Sequence, residues 1–283
     1  MFAQSASAAE PESTPAPAER ANQSQTLPTA EELFERHIEA IGGREMAFAA
    51  QHRRMVGRFE YQPVEPPGDV FRARLLMVQQ APDKLWFELN VPGEPPIITV
   101  FDGEIGWTRR GDGSYELIGG PQLIDLALSA HFHGEAEYER RYREFGQTER
   151  VLVNQKPAYR VAYTTVFGKP GQIIFDQESG LAIVIQTIQI IGDQPTPMIV
   201  RLEDYQPVDE GGLRYPRTII QQTERAITTF TYRSVTHKVD QGPDWVRPEP
   251  VKARLEEITA RQKELEAQRE RGEGQDDRPN PGE

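Results

Sequence analysis

The sequence predicts a mainly β fold with helices (α+β), built on a long, strongly curved antiparallel sheet. Three observations predict it. Strand-like segments follow one another from position 53 to position 238, and Gly- or Asp-containing turns separate them. Aromatic residues recur at strand positions, and a single stretch of helical period interrupts the run near its middle. A protein with such a sheet and few residues of catalytic type more often encloses a ligand than catalyses a reaction.

A helix is predicted to begin after Thr29. Thr29–Glu32 matches a capping box, in which the threonine hydroxyl and the glutamate carboxylate each accept a free main-chain N–H. Apolar residues and one histidine then follow at helical spacing: Leu33, Phe34, His37, Ile38 and Ile41. The pair Gly42-Gly43 ends this helix, because glycine enters the left-handed conformation at low cost. A short second helix is predicted from Arg44 to Gln51.

Roughly eleven or twelve segments have the alternation or the apolar run that is typical of strands. They span Arg53–Gln62, Val70–Gln80, Leu85–Val91, Ile97–Phe101, Ile105–Arg110, Glu149–Val153, Ala158–Val166, Gln172–Asp176, Leu181–Ile191, Pro197–Pro207, Arg214–Thr223 and Ala226–Lys238.

Two further helices are predicted. Pro121–His133 has one apolar stripe, and the charged stretch Glu135–Arg143 is a candidate continuation. Glu249–Arg271 has a narrow apolar stripe among charged residues, which fits either a solvated helix or a lid or partner-binding helix. We therefore divide the chain into a disordered tail (1–28), a globular body (29–245), a charged C-terminal helix (246–271) and a second disordered tail (272–283).

The composition excludes several classes of function. The net charge of −12 argues against nucleic-acid binding, because phosphates require clustered lysine and arginine. It also argues against docking on an anionic membrane by charge alone. Since the chain has no cysteine, it has no disulfide, thiolate metal site, cysteine nucleophile or cysteine-linked lipid anchor. No apolar run approaches the ~18 residues of a transmembrane segment, so none is expected.

The N-terminal residues include small-residue patterns of the kind found at processing sites. Small-residue patterns such as Ala6-Ser7-Ala8 resemble those that precede signal-peptide cleavage, although the positive and apolar regions are missing. The stretch is either the remnant of a signal peptide or an ordinary disordered tail. The first alternative predicts a periplasmic or secreted protein.

Little in the sequence points to catalysis. His131 and His133 are two residues apart near a helix end, whereas helical metal pairs are four apart, so no metal site is expected. The carboxylates of Glu135, Glu137 and Glu139 lie in a charged stretch of the kind that usually forms a solvated face. Nucleotide-binding and nucleophile motifs do not occur in a strand–helix context. We therefore expect no catalytic residue and no cofactor, and a hydrolase acting on envelope lipids is a lesser alternative.

Large apolar residues are the candidate ligand-binding positions. A strongly curved sheet with one inserted helix is difficult to fill with small residues, so some of the larger ones should line a cavity. The candidates are Phe59, Leu75, Phe87, Phe101, Trp107, Leu128, Phe132 and Phe175.

Four short sequence motifs, in this order, resemble those of one family. They are a helix ending in a glycine pair (Leu33–Gly43), a turn of the type Asp-Gly-x-x-Gly-Trp (Asp102–Trp107), a turn of the type Asp-x-x-Ser-Gly-Leu (Asp176–Leu181) and a hairpin beginning Asp-Tyr (Asp204–Pro216). Together they span about residues 29–240, and in order and spacing they resemble the LolA/LolB-like lipoprotein-carrier superfamily of bacterial envelopes.

The resemblance implies an incomplete, half-open barrel of about eleven strands, plugged by helices, with an apolar cavity for acyl chains. It also implies a non-enzymatic carrier whose ligand is a lipid or an acylated protein. A scaffold with a filled core is the alternative from another class. In that alternative, the C-terminal helix would recruit a protein partner in the envelope.

Overall fold

A computed structural model of the chain describes residues 26–191, 194–208, 212–238 and 242–273. The predicted signal-peptide remnant lies outside the described residues. The described part contains the helices α1 (Ala30–Ala40), α2 (Arg44–Ala49), α3 (Gly120–Ala130), α4 (Tyr138–Arg141) and α5 (Glu249–Glu273). None of these helices combines the length and the hydrophobicity that a membrane crossing requires.

The strands follow the predicted segments closely. They are β1 (His52–Pro63), β2 (Phe71–Gln80), β3 (Lys84–Asn90), β4 (Ile97–Phe101), β5 (Gly106–Arg109), β6 (Tyr115–Ile118), β7 (Tyr142–Val153), β8 (Lys156–Thr165), β9 (Pro170–Asp176), β10 (Ala182–Ile191), β11 (Gln194–Pro207), β12 (Arg214–Gln222) and β13 (Ala226–Thr236).

All of these strands belong to one antiparallel sheet. Its order is β6-β5-β4-β3-β2-β1-β13-β12-β11-β10-β9-β8-β7, so neighbouring strands of the sheet are consecutive in the chain except for the pair β1 and β13. The sheet is curled but not closed, because the end strands β6 and β7 do not pair with each other in the described part of the chain. The predicted half-open barrel with helices is confirmed.

Two local predictions need correction. The described part of the chain has thirteen strands rather than eleven or twelve, because β6 follows β5 through a tight turn in which Asp112 Oδ1 accepts from Ser114 N at 2.9 Å. The charged stretch after α3 does not continue that helix. It forms only the single turn of α4 before β7 begins at Tyr142.

Helix α1 begins and ends as predicted. Thr29 Oγ1 accepts from Glu32 N at 3.2 Å, and Glu32 Oε2 accepts from Thr29 N at 2.9 Å, which completes the capping box. Gly42 and Gly43 have φ angles of 121° and 90°, a region that disfavours side chains. This turn directs the chain from α1 into α2.

Helix α1 packs into the half of the sheet that β7–β10 form. The core there is rich in aromatic residues, and the Phe34 ring stacks on Tyr138 at a centroid distance of 4.6 Å. It also meets Phe175 edge-on at 5.2 Å. These contacts bury Phe34 to 3% exposure, so α1 is an integral part of the core.

Helix α5 covers the opposite, convex face of the sheet near β4–β6. Val251 is 1% exposed and packs with Ile98, Val100 and Trp107. Just before the helix, Arg247 forms ion pairs with Asp102 and Glu104 in the β4–β5 turn. Burial acts to raise the pKa of Asp102, but hydrogen bonds from Arg247 and from two main-chain amides outweigh it, so the pKa is lowered. The N-terminal end of α5 is therefore firmly anchored.

Candidate functional site

A cavity of about 370 Å³ lies between the concave face of the sheet and helices α1 and α3. Its lining comes from both halves of the sheet, which is possible only because the strands curl around it. The apolar part of the lining consists of Phe34, Met77, Leu85, Leu128, Phe132, Ile173, Ala182, Ile185, Ile188, Met198, Val200, Leu202, Ile219 and Phe230.

Helix α3 lies on the β3–β5 side of this cavity. Its apolar residues Leu123, Leu126 and Ala127 pack against Leu85 and Phe101. The close approach depends on Gly106, since a Cβ at this position would lie 2.6 Å from Leu126 Cδ2. Pro121 stands in the first turn of α3, where its missing N–H costs nothing.

Three polar contacts fix the position of α3. Gln79 Nε2 on β2 donates to the Ser129 carbonyl at 3.0 Å, and Phe132 N donates to the Pro82 carbonyl at 2.9 Å. On the other side, Asp125 forms an ion pair with Lys169, which lies in the β8–β9 turn. Helix α3 therefore bridges the two halves of the sheet across the cavity.

His37 of α1 lies at the cavity wall and is almost fully buried. Its Nδ1 accepts from Ala182 N at 3.2 Å, and the Ala182 carbonyl accepts from the Tyr205 hydroxyl at 2.9 Å. Burial lowers the pKa of His37, and the Glu135 carboxylate only partly offsets this effect. The imidazole is therefore neutral at pH 7 and serves to hold α1 against β10.

Arg53 of β1 is the most unusual polar residue of the lining. Its Cζ lies 4.9 Å from the Phe132 ring centroid and 4.6 Å from the Tyr215 ring centroid, so the guanidinium lies between two aromatic rings. Nη1 donates to Gln79 Oε1 at 3.2 Å, whereas Nε is buried without a hydrogen-bond partner. Sequence reasoning missed this residue, although Arg53 has the same strand parity as the buried Met55.

Tyrosine hydroxyls add neutral polar groups to the lining. Tyr142, Tyr163, Tyr215 and Tyr232 all border the cavity. Burial raises the pKa of each of these phenols. They consequently keep their protons at neutral pH and can donate hydrogen bonds.

The charged stretch after α3 is only in part the solvated face that its composition suggested, since Glu139 and Arg140 are exposed. Glu135 and Arg141 line the cavity, and Ala136 and Tyr138 between them are buried. Glu137 Oε2 lies 2.8 Å from His131 Nε2, and Glu137 Oε1 lies 3.2 Å from Arg140 Nη1, so this carboxylate has local partners. In the sequence, small or aromatic residues alternate with charged ones here, and this alternation could have indicated that part of the stretch is buried.

The predicted ligand-binding residues fall into three groups. Leu128 and Phe132 line the cavity. Phe59, Leu75 and Phe87 belong to the core cluster behind it, in which the Phe59 and Phe87 rings lie 5.4 Å and 6.3 Å from the lining residue Phe230.

The remaining three candidates lie under or behind the helices. Phe101 is covered by α3, and Phe175 is covered by α1. Trp107 packs with Val251 of α5 on the convex face of the sheet. Because neighbouring strand residues point to opposite faces, Gly106 meets α3 while Trp107 meets α5.

The cavity contains few groups that could perform catalysis. Ser129 donates its hydroxyl to the Asp125 carbonyl at 2.8 Å rather than to a base. His131 and His133 have separate partners, since His133 Nε2 lies 2.9 Å from the Ala50 carbonyl. In the described part of the chain, no group of three or more His, Asp or Glu side chains could hold a metal ion.

Comparisons with known proteins agree with this architecture. No protein-family model and no curated protein matches the chain. Among solved structures, it is similar to a DUF1329 family protein from Desulfovibrio piger, with 8% identity, a TM-score of 0.57 and coverage of 80% of this chain and 100% of that chain. It is also similar to a LolA superfamily protein from Nitrosomonas europaea, with 13% identity, a TM-score of 0.52 and coverage of 78% and 99%. The chain has the LolA-like fold, and the resemblance seen in the sequence is confirmed at that level.

Proposed function

We propose that this protein is a non-enzymatic carrier or binding protein that holds the acyl chain of a lipid or an acylated protein in its half-barrel cavity. The observation that carries the proposal is the cavity of about 370 Å³ with a largely apolar lining under α3. The LolA-like fold supports the same function, and we propose the bacterial periplasm or the cell exterior as its location. The charge of −12 and the absence of a membrane-spanning helix from the described part agree with this proposal.

The cavity has the size and chemistry of a ligand site. Small-molecule sites are concave, mostly apolar and typically about 300–1,000 Å³ in volume, with a few polar groups that set orientation. The cavity is near the lower end of that range, which suits one chain better than several. Affinity would come from apolar burial, at about 25 cal/mol per Å².

Release requires that some part of the cavity wall moves. The two candidates are α1 and α3, because both border the cavity. Helix α3 is the better candidate, since most of its residues are only half-buried and a small number of polar contacts hold it. We propose that ligands enter and leave by displacement of α3.

A fluorescent fatty-acid probe tests the function. Delipidated protein should bind the probe saturably with micromolar affinity, and Leu128→Arg should abolish binding because it places a charge in the apolar lining. The matched control is Leu152→Arg, since Leu152 is 72% exposed on β7. If no apolar probe binds saturably to the wild-type protein, the proposal fails. Mass spectrometry of lipids that copurify with the protein would identify the natural ligand.

A second function, recruitment of an envelope protein partner, is favoured by the distal part of α5. Val251 and Leu255 dock on the sheet, whereas Ile258 and Leu265 continue the same stripe and are 37% and 50% exposed. Removal of the whole segment after Asp244 would also uncover Trp107, so a better test ends the chain after Glu257, which keeps Val251 and Leu255 and removes both exposed residues. The truncated protein should lose its partner in a pull-down and bind the lipid probe as before.

A further inference from the structure

We propose that Arg53 forms a headgroup site within the cavity, and that the preferred ligand is an amphiphile with one acyl chain and an anionic headgroup, either a carboxylate or a phosphate ester. This inference rests on the proposed carrier function and names its class of ligand. It also assigns an orientation, with the anion at Arg53 and the chain along the apolar lining.

The first support is the incomplete partnership of Arg53. Arg53 is half-buried, and a guanidinium that is partly removed from water is normally paired with a carboxylate. The described ion pairs of this protein include neither Arg53 nor Arg141. Arg53 instead has a neutral amide, a phenol and two ring faces as partners, and its Nε has none. An anion is the partner that this environment lacks.

The second support is the charge balance of the lining. The cations are Arg53, Arg141 and Lys169, and the carboxylates are Asp125 and Glu135. Lys169 and Asp125 neutralise each other as an ion pair. The remaining groups leave an excess of one positive charge in a protein whose net charge is −12. A singly charged anion would neutralise the cavity, whereas a cationic ligand would add to the excess.

The third support is the position of Arg53 beside apolar residues of the same cavity. The cavity that Arg53 lines is also lined by Met77, Leu128 and Phe230. One ligand can therefore place its headgroup at the guanidinium and its chain against these side chains. A free anion would leave this apolar surface uncovered, and a hydrocarbon without a headgroup would leave Arg53 without a counter-ion.

The fourth support is that the guanidinium is held in place before a ligand arrives. Gln79 accepts from Arg53 through Oε1 and donates through Nε2 to the Ser129 carbonyl at the end of α3. Gln79 is 5% exposed, so its amide has few alternative partners. Preorganisation of this kind lowers the entropic cost of binding. It also connects the headgroup site to the helix that we propose to move.

A competition experiment with ligands of equal chain length tests the inference. Dodecanoic acid, dodecanol and dodecylammonium compete for the bound fluorescent probe. Since a hydrogen bond to a charged group is stronger than one to a neutral group, the acid should bind about ten-fold or more tightly than the alcohol. The ammonium should bind more weakly than the alcohol. Equal affinity of the wild-type protein for acid and alcohol would overturn the headgroup site and leave the carrier function intact, whereas absence of binding by all chains would remove the carrier function itself.

Three variants locate the effect. Arg53→Met keeps a long unbranched side chain but removes the charge. The affinity for dodecanoic acid should fall to the affinity for dodecanol, and the affinity for dodecanol should stay unchanged. Arg53→Lys should restore part of the preference because it restores the charge. The matched control is Arg54→Met, since Arg54 is exposed and is the next residue on the same strand. An unchanged preference in Arg53→Met, with normal binding of the alcohol, would contradict the assignment to Arg53. Should this variant not fold, the wild-type ratio of acid to alcohol still decides.

Two phosphate ligands distinguish a site for a lipid headgroup from a site for a free anion. Dodecyl phosphate should displace the probe, and inorganic phosphate at the same concentration should not, because it lacks the chain. Displacement by inorganic phosphate alone would replace the amphiphile site with a free-anion site and would overturn the proposal.

Discussion

Helices α1 and α3 both border the cavity, yet the sheet holds them in different ways. The apolar stripe of α1 is buried, with Leu33 at 2% and Ile38 at 2% exposure, and a capping box closes its first turn. In α3 only Ala130 is buried, and no side chain caps its first turn. The more hydrophobic of the two helices is thus the less buried one.

This difference separates a structural helix from a movable one. Burial of large aromatic side chains opposes any displacement of α1, because each would leave a cavity in the core. Displacement of α3 would expose half-buried side chains and break a few polar contacts. Local opening is expected where buried contacts are few. Three predictions test this contrast between the helices.

The largest expected effect is on stability in α1. Phe34→Ala should lower the free energy of unfolding by about 3–5 kcal/mol, because the ring is buried among four aromatic neighbours. Leu128→Ala in α3 should cost only about 1 kcal/mol, since that side chain is half-buried. Urea denaturation followed by fluorescence measures both. Equal losses would show that the two helices are held alike.

A smaller effect is expected from the protonation of His37. Its pKa in the folded protein is lowered by burial, and Glu135 partly opposes this, whereas the unfolded chain has a pKa of about 6.5. Below this pH the unfolded state binds more protons, so stability should fall as pH falls, by up to ~1.4 kcal/mol per pH unit, until the pKa of the folded state is passed.

The variant His37→Asn isolates this contribution. Denaturation midpoints measured between pH 7.5 and pH 5 should show a weaker pH dependence in the variant than in the wild-type protein, because asparagine does not titrate. Identical slopes for His37→Asn and the wild-type protein would rule out His37 as the source.

The smallest effect on stability is expected at the ion pair that links α3 to the β8–β9 turn. Lys169→Met leaves Asp125 without its partner and should cost about 1 kcal/mol, since both side chains are partly exposed. If α3 gates the cavity, the lipid probe should dissociate about five-fold faster, because 1.4 kcal/mol corresponds to a factor of ten. Arg160→Met breaks the exposed pair with Glu149 and should leave the rate unchanged. An unaltered rate in Lys169→Met would point away from α3 as the gate.

Sequence patterns predicted the elements more fully than the site. The capping box, the glycine pair and the Asp-Gly turns are local signals, and the structure places helix and strand ends near them. Strand alternation separates the two faces of a strand but does not say which face is concave. Trp107 and Phe101 therefore looked equivalent, although one packs on α5 and the other under α3.

The polar part of the site was harder to predict. Arg53 precedes a second arginine in a strand, which is typical of an exposed edge, and its interior position depends on ring and amide partners from distant segments. Glu135 and Arg141 likewise lie in a stretch with the composition of a solvated surface. Only the curl of the sheet brings these groups to one cavity.

The pairing of β1 with β13 has a consequence for how the protein is made. Arg54 pairs with Thr236, so the middle of the sheet joins segments from opposite ends of the globular body. Hairpins on either side can form as soon as their own residues have been synthesised. The β1–β13 pair can form only after almost the whole globular body has been synthesised. Contacts between distant parts of a chain slow folding, because the intervening loop has to be ordered first. Until β1 and β13 pair, each half of the sheet has an unpaired edge strand to which a chaperone could bind.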